Sequence, residues 1–205
     1  MIESTIHPTA IVEQGVAISS GVSIWSHTHI RGPDTWIGDE TIIGEKVYIA
    51  YGVRIGKRVK VNAMVYVCTA ITIEDGVMIA AGVVFTNDRY PRSTSPGLLR
   101  MLPSEPDANT LPTVVREGAT IGAGAVIGPD LEIGRYAMVG MGSVVTKDVA
   151  AFALVAGNPA RQIGFVCMCG RRLMETDDRV LVCEECQRQY KSVGGAIQFL
   201  HGRGS

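Results

Sequence analysis

The run Ile37-Gly38-Asp39-Glu40-Thr41-Ile42-Ile43-Gly44-Glu45-Lys46-Val47-Tyr48-Ile49-Ala50-Tyr51-Gly52-Val53-Arg54-Ile55-Gly56 decides the architecture. Isoleucine returns at every sixth position, 37, 43, 49 and 55, and valine follows four residues behind at 47 and 53. A period of six fits neither the 3.6 of a helix nor an unbroken alternation of two, because glycine cuts the pattern after the isoleucine. Short strands separated by turns at a fixed interval suit a solenoid, in which each repeat buries its apolar side chain only against its neighbours.

Working outward, the series runs upstream through Val12, Ile18, Ile24 and Ile30, with one extra residue before Ile37. Downstream it continues through Val61, Val67, Ile73, Ile79 and Phe85, breaks, and resumes as Val115, Ile121, Ile127, Ile133, Val139 and Val145. With three hexads per coil, these nineteen repeats predict about six coils of parallel β-helix, about 29 Å tall at a strand spacing of about 4.8 Å. Composition agrees: the chain of 205 residues has 24 Val and 19 Ile against 9 Leu, none before Leu98. β-Branched residues suit strands, whereas leucine is a leading helix former. The class is all-β.

The length suits one large domain with an appendage. With 19 Lys+Arg against 20 Asp+Glu, the chain has no basic footprint, so nucleic acid is not an expected partner. No apolar run reaches the roughly 18 residues of a membrane span. The start, Met1-Ile2-Glu3-Ser4, does not read as a secretory signal, and the expected compartment is the cytoplasm. We divide the chain into a β-helix at 1–163, interrupted by a loop at 86–114, and a tail at 164–205. The loop holds Pro91, Pro96, Gly97, Pro103, Pro106 and Pro112, and a loop this long is expected to reach a neighbouring subunit.

The register resembles that of hexapeptide-repeat acyltransferases, and Ile6-His7-Pro8-Thr9-Ala10-Ile11-Val12 is similar to the opening coil of many members. The resemblance implies a left-handed β-helix and a homotrimer. Within it, Phe85-Thr86-Asn87-Asp88-Arg89-Tyr90-Pro91-Arg92 looks like the signature of N-acetyltransferases acting on nucleotide-linked 3-amino sugars. It implies that Asn87 is catalytic, holding the sugar amine, and that Asp88 and Arg92 bind substrate. Asn and Asp also cap turns, so turn chemistry alone accounts for the pair equally well.

Ile24-Trp25-Ser26-His27-Thr28-His29-Ile30-Arg31 resembles a segment of acetyltransferases that make UDP-linked 2,3-diacetamido-2,3-dideoxyglucuronic acid for surface polysaccharides. Trp25, His29 and Arg31 match, Ser26 stands where histidine is usual, and Val61-Asn62-Ala63-Met64 departs from the Ile-Gln-Asn-Asn found there. Taken alone, Trp25 packs between subunits or stacks on a base. His29 is structural or catalytic, and Arg31 is a solvated charge or an anion contact.

Gly140-Met141-Gly142-Ser143-Val144-Val145-Thr146-Lys147-Asp148-Val149 and Ala156-Gly157-Asn158-Pro159-Ala160-Arg161 resemble the closing segment of members that use coenzyme A. Acetyl-CoA is the implied co-substrate. Lys147 and Arg161 would meet its phosphates, Ser143 lies in the same segment, and Gly122 and Ala123 would let the pantetheine arm pass close to the backbone. Unassisted, the first segment also reads as a last coil and its exit.

The tail carries Cys167-Met168-Cys169 and, after thirteen residues, Cys183-Glu184-Glu185-Cys186. Paired thiols on short turns converge as a tetrahedral site, so a small ribbon with structural zinc is expected, with disulfides or a redox pair as alternatives. Cys68 stands alone and reads as packing.

The leading function is acetyl transfer from acetyl-CoA to the 3-amino group of a UDP-2-acetamido-3-amino-2,3-dideoxy sugar, a glucuronate by resemblance. A dTDP-3-amino-deoxysugar acetyltransferase and a non-catalytic binding module are the alternatives. The only histidines are His7, His27, His29 and His201. None lies in the loop or the coils after it, which disfavours both a hydroxyl acceptor needing a base there and a three-histidine zinc hydratase.

Overall fold

A computed structural model describes residues 3–176, 180–193 and 196–201. Three parallel sheets form the faces of a prism, and the chain visits them in strict rotation. The first face stacks eight parallel strands, from Thr5–Ile6 through Ser23–Ile24, Ile42–Ile43, Lys60–Val61, Met78–Ile79, Thr120–Ile121 and Met138–Val139 to Ala153–Ala156. Arg161–Phe165 closes that sheet as an antiparallel edge strand. The second face has seven strands and the third six. The prism is therefore taller on its first face than the six coils expected. Ile6 stands six residues before Val12 and extends the series by one more hexad, whereas Ala153–Ala156 follows an irregular step through Val149 and does not keep the spacing of six.

Residues of the repeat stack in register. On the first face Ile24, Ile43, Val61, Ile79, Ile121, Val139 and Val155 pair level by level. The corresponding columns of the other faces include Ile49 and Val67, and Ile55 and Ile73. These side chains are buried and form one continuous core. Fully burying each one stabilises the fold by about 1.5–3 kcal/mol. The glycine after the isoleucine has a steric reason: a Cβ on Gly44 would stand 2.7 Å from the Asn62 carbonyl carbon, and one on Gly122 2.5 Å from the Met141 nitrogen. Stacked turns leave no room for a side chain there.

The break in the repeat is an excursion from the edge between the second and third faces. The chain leaves the second face after the strand Val84–Phe85, and Thr113–Val115 resumes on the third against Ile71–Ile73. The Leu111 amide donates to the Asn87 carbonyl at 2.8 Å, and Asp88 bridges Thr110, so the loop is pinched at its base.

After Arg161–Phe165 a four-stranded antiparallel sheet follows, built from Met174–Glu175, Val180–Val182, Gln189–Val193 and Ala196–His201. Its core includes Leu173, Leu181, Tyr190 and Ile197, and it reaches the prism through Phe152. Phe152 contacts Tyr136 at 5.4 Å and Tyr190 at 5.5 Å between ring centroids. The tail therefore covers the end of the solenoid.

Candidate functional site

The outward side chains of the second face form a column that changes size along the prism. Exposed Ile11 starts it, His29, Tyr48 and Tyr66 follow, then Val84, Val126 and Val144. Tyr48 and Tyr66 stack at 5.2 Å, nearly parallel, and His29 meets Tyr48 edge-on at 5.7 Å. The valines are shorter, so the column steps down beyond Tyr66.

Both edges of this face carry residues singled out in the sequence. Trp25 lies exposed on the edge shared with the first face, which higher up becomes the small residues Gly122, Ala123 and Gly140. Arg31 occupies the other edge on the same coil as Trp25 and His29. Glu13 holds two of the three: its carboxylate accepts from His29 Nε2 at 2.8 Å and lies 3.4 Å from Arg31 Nε. Its second oxygen accepts from the Gly32 amide at 3.2 Å. The hydrogen bond from His29 is the main cause holding the Glu13 carboxyl below its usual range. Arg31 also lies 5.4 Å from the centre of the Tyr51 ring. Sequence reasoning passed over Glu13, yet a coil of eighteen residues places position 13 beside 31.

Asn87 sits higher on that second edge, where the loop leaves. Its amide nitrogen donates to the Thr69 carbonyl at 3.3 Å, and Thr69 in turn donates to the Tyr51 carbonyl at 2.6 Å. The side-chain oxygen of Asn87 has no partner among the described residues. Three strand spacings separate the His29 and Asn87 levels, about 14 Å. Between Asn87 and the loop lies a cavity of about 420 Å³, lined also by Asp88 and Arg92, so the structure gathers these three predicted residues. Arg89 pairs with Asp130 at 2.9 Å and fastens the loop to the next coil. An exposed pair of this kind is worth about 1 kcal/mol at most.

Lys147 lies two levels beyond Asn87 on the same edge, about 10 Å along the prism. It shares a groove of about 240 Å³ with Arg161. Ser143 is buried, and its hydroxyl accepts from the Gly157 amide at 3.2 Å. The segment from 157 to 160 is laced to Val144 by two backbone hydrogen bonds, Val144 to Gly157 at 3.0 Å and Ala160 to Val144 at 2.8 Å. Ser143 thus holds the turn that presents Arg161. Gly122 already has a structural reason to lack a side chain, and Ala123 beside it is exposed.

The four tail cysteines converge. Their sulfurs all lie within 4.8 Å of one another, with Cys167 to Cys186 at 3.4 Å and Cys169 to Cys183 at 3.5 Å. None forms a disulfide. Thiolates around a tetrahedral zinc with bonds of about 2.3 Å would stand about 3.8 Å apart, so the donor set and spacing fit that ion. Gly170 supplies the positive φ of 84° that the turn after the first pair requires. Burial opposes ionisation of Cys186, but the amide and guanidinium of Arg188 bring its thiol down to about 6. Desolvation pushes Cys167 and Cys169 up, so four thiolates together need a cation. Cys68, buried in the prism and pushed up to about 11, is inert packing.

Two stretches match known repeat families. Residues 112–147 match the bacterial transferase hexapeptide model of six repeats, and residues 35–69 match the hexapeptide repeat of succinyl-transferase. The repeat is of the hexapeptide kind. Among curated proteins, dTDP-3-amino-3,6-dideoxy-alpha-D-galactopyranose 3-N-acetyltransferase of Aneurinibacillus thermoaerophilus is 48% identical over 88 residues, 43% of this chain and 45% of the relative. Serine acetyltransferase of Haemophilus influenzae is 53% identical over 47 residues, 23% of this chain and 18% of the relative. The chain thus spans less than half the length of either. Among solved structures, a hexapeptide-repeat acetyltransferase of Vibrio cholerae, complexed with acetyl coenzyme A, is 26% identical with a TM-score of 0.51, covering 63% of this chain and 69% of that one. WeeI of Acinetobacter baumannii is 25% identical with a TM-score of 0.50, covering 77% of this chain and 57% of that one.

Proposed function

We propose that the chain is an N-acetyltransferase that moves acetyl from acetyl-CoA to the 3-amino group of a nucleotide-linked amino sugar. The observation behind this reading is Asn87: a neutral amide on the edge of the second face, its oxygen without a partner among the described residues, opening on a cavity, with Lys147 two levels away on the same edge. The amide oxygen accepts a hydrogen bond from the incoming amine and fixes its direction of attack. The neutral amine adds to the thioester carbonyl, the tetrahedral intermediate collapses with cleavage of the C–S bond, and the departing thiolate takes the proton from nitrogen. No histidine is needed near the loop.

Lys147 and Arg161 meet the CoA phosphates, with Ser143 behind them and Gly122 and Ala123 beside the pantetheine arm. Trp25, His29 and Arg31 receive the nucleotide, at a distance from Asn87 that an extended nucleotide-linked sugar bridges. Asp88 and Arg92 contact the sugar. The chain works as a cytoplasmic homotrimer with sites between subunits, and the tail binds one structural zinc through its four cysteines.

Two nucleotide sugars compete. The segment around Trp25 favours a UDP-linked uronate, whereas the galactopyranose acetyltransferase relative favours a dTDP-linked 3-amino-deoxysugar. Measuring CoA release from acetyl-CoA with a panel of UDP- and dTDP-linked 3-amino sugars tests the reading. Turnover with at least one amine is expected, and acetylation of none would refute it.

A further inference from the structure

One strand joins two sites that lie on different parts of the chain. Arg161–Phe165 begins with Arg161, in the groove with Lys147, and two residues beyond its end stands Cys167, one of the four convergent thiols. On its inner side the strand pairs with Ala153–Ala156, but that ladder is irregular. Ala156 faces Arg161 and Val155 faces Gln162; the register then shifts, Leu154 faces Gly164, and Ile163 is left without a counterpart. A bulge of this kind disrupts the pairing locally, so the inner sheet holds the middle of the strand poorly.

The tail holds the other side. Past Cys167 and Cys169 the chain doubles back: the Gly170 amide donates to the Cys167 carbonyl at 2.8 Å, the Cys167 amide to the Arg171 carbonyl at 2.8 Å, and the Leu173 amide to the Phe165 carbonyl at 2.9 Å. Arg172 acts where the inner ladder fails. Its guanidinium donates to the Ile163 carbonyl at 2.9 Å, and its Nε would stand 3.3 Å from a Cβ on Gly164. The returning segment therefore clamps the strand, and the turn that reverses it is the one carrying Cys167 and Cys169. That turn is tied across the tail by its thiols, which face Cys186 and Cys183, and by the Tyr190 hydroxyl, which accepts from the Met168 amide at 3.2 Å. In a segment this small, free energy of metal binding is free energy of folding, so zinc closes the clamp.

We infer that zinc in the tail and acetyl-CoA at Arg161 are coupled through this strand, and that Arg172 is the positioning residue carrying the coupling, which rests on both assignments proposed above. Either ligand fixes the strand, so the second meets a strand already fixed and binds tighter. Linkage makes the effect reciprocal: the factor by which zinc tightens acetyl-CoA equals the factor by which acetyl-CoA tightens zinc. Calorimetry on the full chain compares acetyl-CoA affinity in the zinc form and after chelation, and competition with a chromophoric chelator gives zinc affinity with and without acetyl-CoA. Chelation is expected to weaken acetyl-CoA by about fivefold or more, and acetyl-CoA to tighten zinc by the same factor. The second measurement starts from the folded zinc form, so aggregation of metal-free protein cannot imitate it. Arg172→Ala should bring the factor toward one with one zinc per chain still bound, and Arg172→Lys, which keeps a donor for the Ile163 carbonyl, should restore part of it. Arg172 is exposed, so both variants should keep their fold. Equal acetyl-CoA affinity with and without zinc overturns the coupling and leaves both sites standing. A factor undiminished in Arg172→Ala overturns the part given to Arg172. Failure of the chain to bind zinc, or to bind acetyl-CoA, overturns the inference together with the assignment beneath it.

Discussion

Asn87 is held by its own hydrogen bond to the Thr69 carbonyl, so its oxygen is aimed before any substrate arrives. Such pre-orientation is worth much in a reaction that needs one angle of attack. We expect Asn87→Ala to lower kcat by about a hundredfold or more, with acetyl-CoA affinity by calorimetry unchanged, because the CoA contacts are assigned two levels away. Asn87→Asp should also be poor, since a carboxylate stabilises the ammonium form that cannot attack. His29→Ala should mainly raise KM for the sugar nucleotide. The reverse pattern, with His29→Ala inactive and Asn87→Ala nearly silent, would make His29 the base. Glu13 adds a case of its own, because it fixes both His29 and Arg31. Glu13→Gln should raise the same KM with little change in kcat. The Glu13 carboxyl is held low in the folded protein, chiefly by His29. Its contribution is therefore present above the ordinary carboxylate range and lost as pH falls through the lowered value. Wild type and Glu13→Gln should converge in stability only in that acid range.

At the scale of elements, the strands of the prism were legible because each one answers to a local rule. A buried β-branched residue every six positions and a glycine where stacked turns touch are both written in the chain, and Ile43-Gly44 and Ile121-Gly122 show them together. Eighteen residues per coil set Asn87 over Thr69 and, with the one extra residue before Ile37, His29 under Tyr48. The periodic reading lost the far end, where Ala153–Ala156 does not keep the period, and it started one hexad late, since Ile6 stands six residues before Val12. Inside the loop it had nothing to read, because the bridges Asp88 to Thr110 and Thr94 to Met101 depend on contacts with no periodic signature. Cavity residues such as Glu105 were invisible for the same reason. In the tail the cysteines were legible, but the way Phe152 joins Tyr190 to the last coil was not. That junction sharpens a prediction. Metal analysis should find one zinc per chain, and Cys183→Ser or a strong chelator should remove it. Loss of zinc should unfold the tail sheet and alter the aromatic circular dichroism of Tyr190, Phe152 and Tyr136, while far-ultraviolet signal from the prism persists. Truncation after Ile163 should abolish zinc binding and expose Phe152. Zinc retained by that truncation would refute the site.

For the whole molecule, the decisive feature is what flanks the second face. Along one edge the exposed large apolar side chains are Trp25, Met64 and Met141, with Glu45, Lys46 and Asn62 exposed between the first two. From the other edge the loop projects Tyr90, Leu98, Leu99 and Met101, which are 78%, 83%, 85% and 72% exposed. Four neighbouring apolar side chains this bare are uncommon on a monomer and mark a contact surface. The candidate substrate face lies between these two apolar borders, so association through them turns an open face into a cleft that excludes water. Prisms that associate by rotation about a common axis parallel to their own repeat the same cleft at every interface. We therefore expect light scattering to give three times the chain mass. Leu98→Glu with Leu99→Glu should convert the trimer to monomer without changing the far-ultraviolet spectrum, because neither residue touches the prism core. The monomer should lose turnover even at saturating acetyl-CoA, since each site would lack its second wall. A wild-type monomer with full activity, or a double-glutamate monomer that turns over normally, would remove the shared cleft and leave Asn87 to act on an open face.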